Sequence, residues 1–465
     1  MSVRHPKTTQ ATTPSTKYER AWDSGLWYHG GNRQRGPPKE MLPKLKKGDK
    51  TVMALTDGTL NYIRFMDRKE VRILTTEYSA NTVLTGKTNP GKGLVARKAF
   101  KRGDAILEEK PLVCAQFSWN ELYKYTACEF CLRSLENAEE MAKRLANNQS
   151  LVLPYPECCD VDPSKFSLCP QCQVLYCSPW CREAALSCYH EVLCLGPLRE
   201  DPDHPLNQLI NQWRSFHYPP ETGSIMLIVK IIAMIKQAKD KGAMISKFST
   251  FVNAVVNEQE NTAHKLLGKQ FLEQREILRN MLREVFFEES VEEWYTPEGF
   301  NSLFALIGTN GQGIGSSSFS RWVKATERLQ LGDAEKQQLE DTIEKVYDVL
   351  EEVSGAFLDC EGSGLYQLQS AANHSCVPNA EITFQHGDHT LTLVALENIG
   401  PEEEITISYL GCCDQERGRH SRQKALRENY LFTCGCDKCL SQADDASITS
   451  EDDIEEEEEE EDEEF

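Results

Sequence analysis

Ten of the chain's 18 cysteines fall between Cys128 and Cys194, and their spacing restricts the fold more than any other feature. Within that segment lie four close donor pairs: Cys128 and Cys131, Cys169 and Cys172, Cys177 and Cys181, and His190 with Cys194. Two donors separated by two or three residues can share a tight turn, which brings both onto one ion. Eight such donors suit two tetrahedral zinc sites. A second knot, Cys434-x-Cys436-x-x-Cys439, stands near the C-terminus with three thiols, one short of a tetrahedral set.

Whether these thiols bind metal or form disulfides depends on compartment. The first 30 residues lack an apolar core long enough for a secretory signal. The longest apolar run, Ile225 to Ile235, is interrupted by Lys230 and too short to cross a bilayer. An intracellular, membrane-free protein of the nucleus and/or cytoplasm is therefore expected, with reduced thiols ligating metal. The net charge of −21 argues against direct nucleic-acid binding, but it is uneven. Thirteen acids lie between Glu451 and Glu464, so the rest of the chain carries −8. Such a run repels itself and stays solvated. At 465 residues the chain has room for about two or three domains.

The pattern along the chain predicts an α+β protein. Residues 1–70 read as a poorly defined extension, the first 50 disordered and Thr51 to Phe65 forming strands. Short β-type runs follow, Gly86 to Arg97 and Ala105 to Phe117. After the cysteine cluster comes a long helical stretch over 205–290. A second helix, Asp333 to Val353, carries Leu339, Ile343, Val346, Tyr347, Leu350 and Val353 on one face. β character then returns as a hairpin, Glu381–Phe384 and Thr390–Ala395 about Gly387-Asp388, and as a strand from Glu404 to Leu410. The β region is thus split by the cysteine module and the helical block.

Four short motifs occur in a fixed order: Gly91-Lys92-Gly93-Leu94; Asn373-His374-Ser375-Cys376-x-Pro378-Asn379; Glu403-Glu404-Ile405-Thr406-Ile407-Ser408-Tyr409; and Tyr430-x-Phe432-x-Cys434-x-Cys436-x-x-Cys439. Singly they are weak, since a lone Gly-x-Gly is usually a turn. In this order, the chain resembles the SET and MYND domain-containing protein lysine methyltransferases, from residue 71 to about 445. The resemblance implies a split SET-type β-fold with an inserted MYND zinc finger, a helical insert and a cysteine-rich post-SET zinc site. The expected divisions are 1–70, the N-terminal SET part 71–127, the MYND finger 128–194, the helical insert 195–360, the C-terminal SET core 361–410, the post-SET region 411–445 and the acidic disordered tail 446–465.

What the family resemblance implies for single residues follows from the motifs. Gly91, Lys92, Gly93 and Leu94 would wrap S-adenosyl-L-methionine. Asn373 and His374 would hold its amino group and adenine, and Asn310, in Thr309–Gly315, would touch it. Tyr409 would be the catalytic tyrosine, with Tyr430 and Phe432 completing the lysine channel and cofactor pocket. Cys376 would join Cys434, Cys436 and Cys439 on a third zinc. In the finger, alternating ligation would give Cys128, Cys131, Cys177 and Cys181 one zinc and Cys169, Cys172, His190 and Cys194 another. The 37 residues between Cys131 and Cys169 leave Cys158 and Cys159 open as replacements, and Cys188 competes with His190.

Methyl transfer needs a neutral lysine amine held in line with a sulfonium methyl, so alignment in a dry channel is the main contribution asked of the protein. The expected partners are protein substrates with a target lysine, histones or ribosomal-type basic proteins, and proline-rich segments at the finger. The alternative is a non-catalytic zinc scaffold that binds partners through proline-rich motifs. Other features have plainer readings. His204, His217 and His264 lie in helical or pre-helical context and read as surface or core residues. Cys412-Cys413 reads as buried small hydrophobes. Gly311 to Gly315 lacks the Lys-Ser/Thr of a phosphate loop and reads as a turn or a cofactor contact.

Overall fold

The computed structural model describes residues 50–54, 61–66, 70–75, 82–85, 93–215, 224–253, 269–354 and 358–443. The first 49 residues, Gly91, Lys92, His217, His264 and the acidic tail lie outside the described residues. The chain is α+β, as its punctuation of short strands by amphipathic helices implies. It divides into two compact units, Met1–Lys101 with Asn398–Ile405, and Arg102–Glu397 with Thr406–Phe465.

In the first unit, β1 (Lys50–Ala54), β2 (Asn61–Met66) and β3 (Glu70–Thr75) form an antiparallel meander, with Lys50 opposite Phe65 and Asn61 opposite Thr75. Of the run expected over Gly86 to Arg97, the described part is β5 (Gly93–Ala96), which pairs antiparallel with an earlier strand, β4 (Thr82–Thr85). All four β5 residues are buried, which explains an apolar run with no polar alternation. Val95 and Leu94 pair in turn with Glu404 and Ile405.

Among the described residues, most of the remaining strands lie in the second unit. β6 (Ala105–Glu109) and β7 (Val113–Gln116) precede a small hairpin in the cysteine module, β8 (Ser167–Leu168) with β9 (Leu175–Tyr176). β10 (Gly311–Ser316) and β11 (Cys360–Leu365) join β7 in an antiparallel sheet of order β10-β11-β7. The glycine-rich segment, expected as a turn or a cofactor contact, is not a turn but a strand. Its Gly311 to Ser316 faces Leu365 to Cys360 residue for residue, so backbone pairing fixes it where side chains offer little. β12 (Asn373–His374), β13 (Ala380–Thr383) and β14 (Leu391–Ala395) follow, and β13 and β14 form the expected hairpin, with β6 on the far edge of β14. Gly387 turns that hairpin at φ +61, a left-handed conformation open to glycine without steric cost.

The helices over 205–290 are not one stretch. α1 (Ala138–Leu145) and α2 (Pro179–Ala185) lie within the cysteine region. After it come α3 (Pro205–Ser215), α4 (Ile225–Gln237), α5 (Lys241–Phe248) and α6 (Lys269–Phe286). The breaks have local causes. The Ser224 hydroxyl accepts the Met226 N–H at 3.2 Å and the Asp240 carboxylate that of Ala243 at 2.9 Å, so each starts a new helix. α7 (Pro297–Asn310), α8 (Ser318–Thr326) and α9 (Asp333–Ser354) complete the block. On α9, Leu339, Val346 and Leu350 are buried, but Val353 is 50% exposed, because the apolar stripe runs past the core at the helix end.

α4 is buried from Ile225 to Ile235 except at Met226, and Lys230 in its middle is only 1% exposed. The charge that interrupts the apolar run is satisfied internally. Its Nζ lies 2.8 Å from the Glu129 carboxylate, donates to the carbonyls of Cys114 and Glu129, and stands 4.8 Å from the Tyr189 ring centroid. A buried cation survives only when paired in this way. It ties the helical block to the residue that follows Cys128.

The cysteine module also packs on the β7–β11 sheet through Gly362. A Cβ there would lie 2.2 Å from Leu132 Cδ2 and 2.4 Å from the Ala115 carbonyl oxygen. Leu132 is fully buried, just after Cys131. Gly362→Ala is expected to lower stability by about 1–3 kcal/mol through overpacking. A urea melt superimposable on the wild-type one would show that the sheet has slack at this point.

Candidate active site and metal centres

The site in the second unit grows from β12. Asn373 and His374 pair in parallel with Thr406 and Ile407, the second half of β15 (Glu404–Ile407). Ser375 N–H continues the ladder onto the Ile407 carbonyl at 2.9 Å. The strand expected from Glu404 to Leu410 stops at Ile407, because the Ser408 hydroxyl accepts the Leu410 N–H at 3.1 Å and turns the chain. Tyr409 therefore sits in a turn beyond the strand. Its N–H donates to His374 Nδ1 at 3.0 Å and its hydroxyl to the Ala372 carbonyl at 2.7 Å.

α10 (Arg419–Tyr430) brings the last motif alongside. It ends at Leu431, whose φ of +60 swings the chain round, a conformation that costs a non-glycine residue roughly 1 kcal/mol. That reversal leaves Tyr430 and Phe432 beside Tyr409. The Tyr430 hydroxyl donates to the Tyr409 carbonyl at 3.2 Å. Ring centroids are 4.9 Å apart for Tyr409 and Tyr430, 5.4 Å for His374 and Tyr409, and 6.1 Å for Phe432 with either Tyr409 or His374. All four rings are half-buried. Burial and the charge of Arg422 pull the His374 pKa down to about 4, and burial pushes the Tyr430 phenol up. The site is therefore a cluster of neutral, electron-rich rings. Such faces attract a cation, and so fit either a sulfonium or a lysine head group.

Among the described residues, metal-type donors gather into three clusters. They are Cys128, Cys131, Cys177 and Cys181; Cys169, Cys172, His190 and Cys194; and Cys376, Cys434, Cys436 and Cys439. Within each, all donor atoms lie within 4.8 Å of one another. Cys131 and Cys177 sulfurs are 3.6 Å apart, Cys169 and Cys194 3.7 Å, Cys172 Sγ and His190 Nε2 3.4 Å, and Cys376 and Cys439 3.6 Å. Thiolates about 2.3 Å from a tetrahedral zinc stand ~3.8 Å from each other, so all three clusters could hold zinc. Cys158, Cys159 and Cys188 belong to none of the three. Cys159 Sγ instead accepts the Ala138 N–H at the start of α1, and Cys188 packs against the helical core.

Other candidates have different surroundings. Gly93 and Leu94 are buried in β5 of the first unit. Asn310 spends its amide on Val252 O at 2.7 Å and Leu306 O at 2.8 Å. His204 Nδ1 accepts the Leu206 N–H at 3.2 Å, a capping role. Cys412 and Cys413 lie on a short helix, Cys412–Glu416. Two supporting residues carry no motif. Glu109, 3% exposed, accepts the N–H groups of Leu368 and Gln369 and so holds the segment leading into Ala372. Arg422, 1% exposed, faces the third cysteine cluster from α10. The only sequence signal for Glu109 is a second acid closing the apolar run Ala105–Glu109, and for Arg422 there is none.

The SET domain family matches residues 91–410. The chain is 55% identical over 363 residues to protein-lysine N-trimethyltransferase SMYD5 of Danio rerio, covering 78% of this chain and 88% of that one. It is 56% identical over 362 residues to SMYD5 of Homo sapiens, covering 78% and 87%. Over 436 residues it is 25% identical to histone-lysine N-methyltransferase ATXR2 of Arabidopsis thaliana, covering 76% and 89%.

Proposed function

The chain belongs to the SET-domain family and is a protein-lysine N-methyltransferase; from that premise we propose that it uses S-adenosyl-L-methionine and Tyr409 to methylate lysines of histones or ribosomal-type basic proteins. The observation that carries this reading is the three-point fixing of Tyr409, by His374, Ala372 and Tyr430. S-adenosyl-L-methionine, when bound, supplies a methyl group on a cationic sulfur. Asn373, His374, Tyr430 and Phe432 are assigned to holding it. The Tyr409 hydroxyl donates a hydrogen bond to the Ala372 carbonyl, which fixes the direction of the phenol oxygen that is assigned to accept from a lysine amine and orient it. The rings alone would attract an ammonium; it is the loss of water in a buried channel that favours the neutral, reactive amine. With the relatives named as trimethyltransferases, trimethyllysine is the assigned end product.

Each cysteine cluster is assigned one zinc ion. The finger is assigned a proline-rich partner segment. Trp180 supports this, being 58% exposed with Phe130 against its edge at 5.7 Å and Lys110 Nζ 5.1 Å from its ring centroid. Flat exposed aromatics of this kind suit polyproline. Such substrates place the enzyme in the nucleus, the cytoplasm or both.

The test is to incubate the full chain with methyl-labelled donor and, separately, core histones and ribosomal proteins, then to map the product by mass spectrometry. Label on lysine, progressing to the trimethyl form, is the expected result. Absence of label from both protein pools would sink the substrate assignment.

A further inference from the structure

The third cysteine cluster has a feature that zinc ligation alone does not require. Arg422 is buried to 1% exposure with its guanidinium spread over two of the four sulfurs. Nε donates to Cys376 Sγ at 3.3 Å and Nη2 to Cys439 Sγ at 3.7 Å. The remaining bonds fix the fork in place, Nη1 to the Arg417 carbonyl at 2.5 Å and Nη2 to Gln442 Oε1 at 2.8 Å. Cys376 also takes a second donor. The Tyr409 amide can only donate, so His374 Nδ1 must accept, and the ring proton resides on Nε2. Nε2 stands 3.4 Å from Cys376 Sγ. One sulfur thus receives an N–H from Arg422 and another from the imidazole that holds Tyr409.

Zinc ligation would make these sulfurs thiolates. Four thiolates around a divalent zinc leave two net negative charges, and three of these four cysteines are buried. Buried net charge is costly unless a counter-charge meets it, and a buried guanidinium facing neutral thiols would itself be unmatched. Each group removes the other's penalty.

We propose that Arg422 is a positioning residue which, with His374, clamps the Cys376 thiolate, so that the third zinc, α10 and the Tyr409 backbone form one hydrogen-bonded unit. This rests on the third cluster holding zinc, and the test separates the two claims. The full chain is assayed first for zinc, where three equivalents are expected and fewer overturn the zinc reading by itself. Arg422→Met and Arg422→Lys are then compared with wild type in two ways. One is zinc release to a chromophoric chelator. The other is the sulfur-to-metal charge-transfer band after loading with cobalt.

Loss of an outer partner of a metal ligand weakens binding by roughly 10–100-fold. In Arg422→Met, one equivalent is expected to leave at least about tenfold faster while the other two keep wild-type rates. The charge-transfer band of that site should move to lower energy, because sulfur electrons lose two N–H donors. Arg422→Lys keeps the charge and loses the fork, so its release rate and band should lie between the two. Equal acceleration at all three sites, or a lysine variant identical to wild type in both rate and band, overturns the proposal even where the methionine variant does not fold.

Discussion

Replacing Tyr409 with phenylalanine is expected to lower methyl transfer by at least about tenfold, or about 1.4 kcal/mol of transition-state stabilisation, while the protein keeps its fold. The substitution removes one oxygen. The backbone N–H bond to His374 at 3.0 Å and the Tyr430 bond to the Tyr409 carbonyl do not involve that oxygen and persist. Ala372 loses the donor to its carbonyl, a cost on the order of 1 kcal/mol. The catalytic loss has a separate origin. The phenol oxygen is the only polar side-chain atom on the tyrosine that can orient an amine, and orientation is a large part of what a methyltransferase supplies. Steady-state kinetics with labelled donor, alongside a thermal melt, read both quantities. Wild-type turnover in a folded Tyr409→Phe protein would remove the tyrosine from the reaction.

Cys434→Ala is expected to have a comparable or larger effect from outside the ring cluster. The variant should lose one of three zinc equivalents and fall by roughly 100-fold or more in activity, since structural zinc sites contribute on the order of 10 kcal/mol to local folding. Cys434 lies two residues beyond Phe432, and its backbone is bonded to Gln423 of α10 in both directions, at 2.7 and 2.9 Å. Those bonds do not need the thiol, so α10 should remain while the segment carrying Phe432 loosens. The two finger clusters share no ligand with this one and should stay loaded. Metal analysis with activity on the same sample checks this. Full turnover in a protein holding two zinc ions would show that the third cluster does not organise the rings.

Much of this architecture is legible in residue order, and the reasons differ between elements. The β13–β14 hairpin is visible because Gly387 punctuates two alternating runs, and local turn geometry needs no tertiary help. The α9 stripe is visible by period, although its last member, Val353, stays exposed, because period says nothing about where a core ends. Gly311–Ser316 misleads for the opposite reason. Glycine looks like a turn locally, and its strand conformation is imposed by β11, a segment distant in the chain. The split of the 205–290 helices hinged on Ser224 and Asp240, caps that an apolar pattern hides.

The close pairs of cysteines are a covalent matter. Two or three intervening residues hold donors together whatever the rest of the chain does, so metal-type chemistry could be read from the sequence alone. The sequence likewise carried the motifs that ally the chain with SET-domain methyltransferases. Which pairs share a centre, and that Cys376 meets partners 58 or more residues on, was decided by packing. The same holds for Glu109, Lys230 and Arg422. Each is an ordinary charged residue in the sequence, and only the surrounding fold puts it where leaving water is repaid by a specific partner.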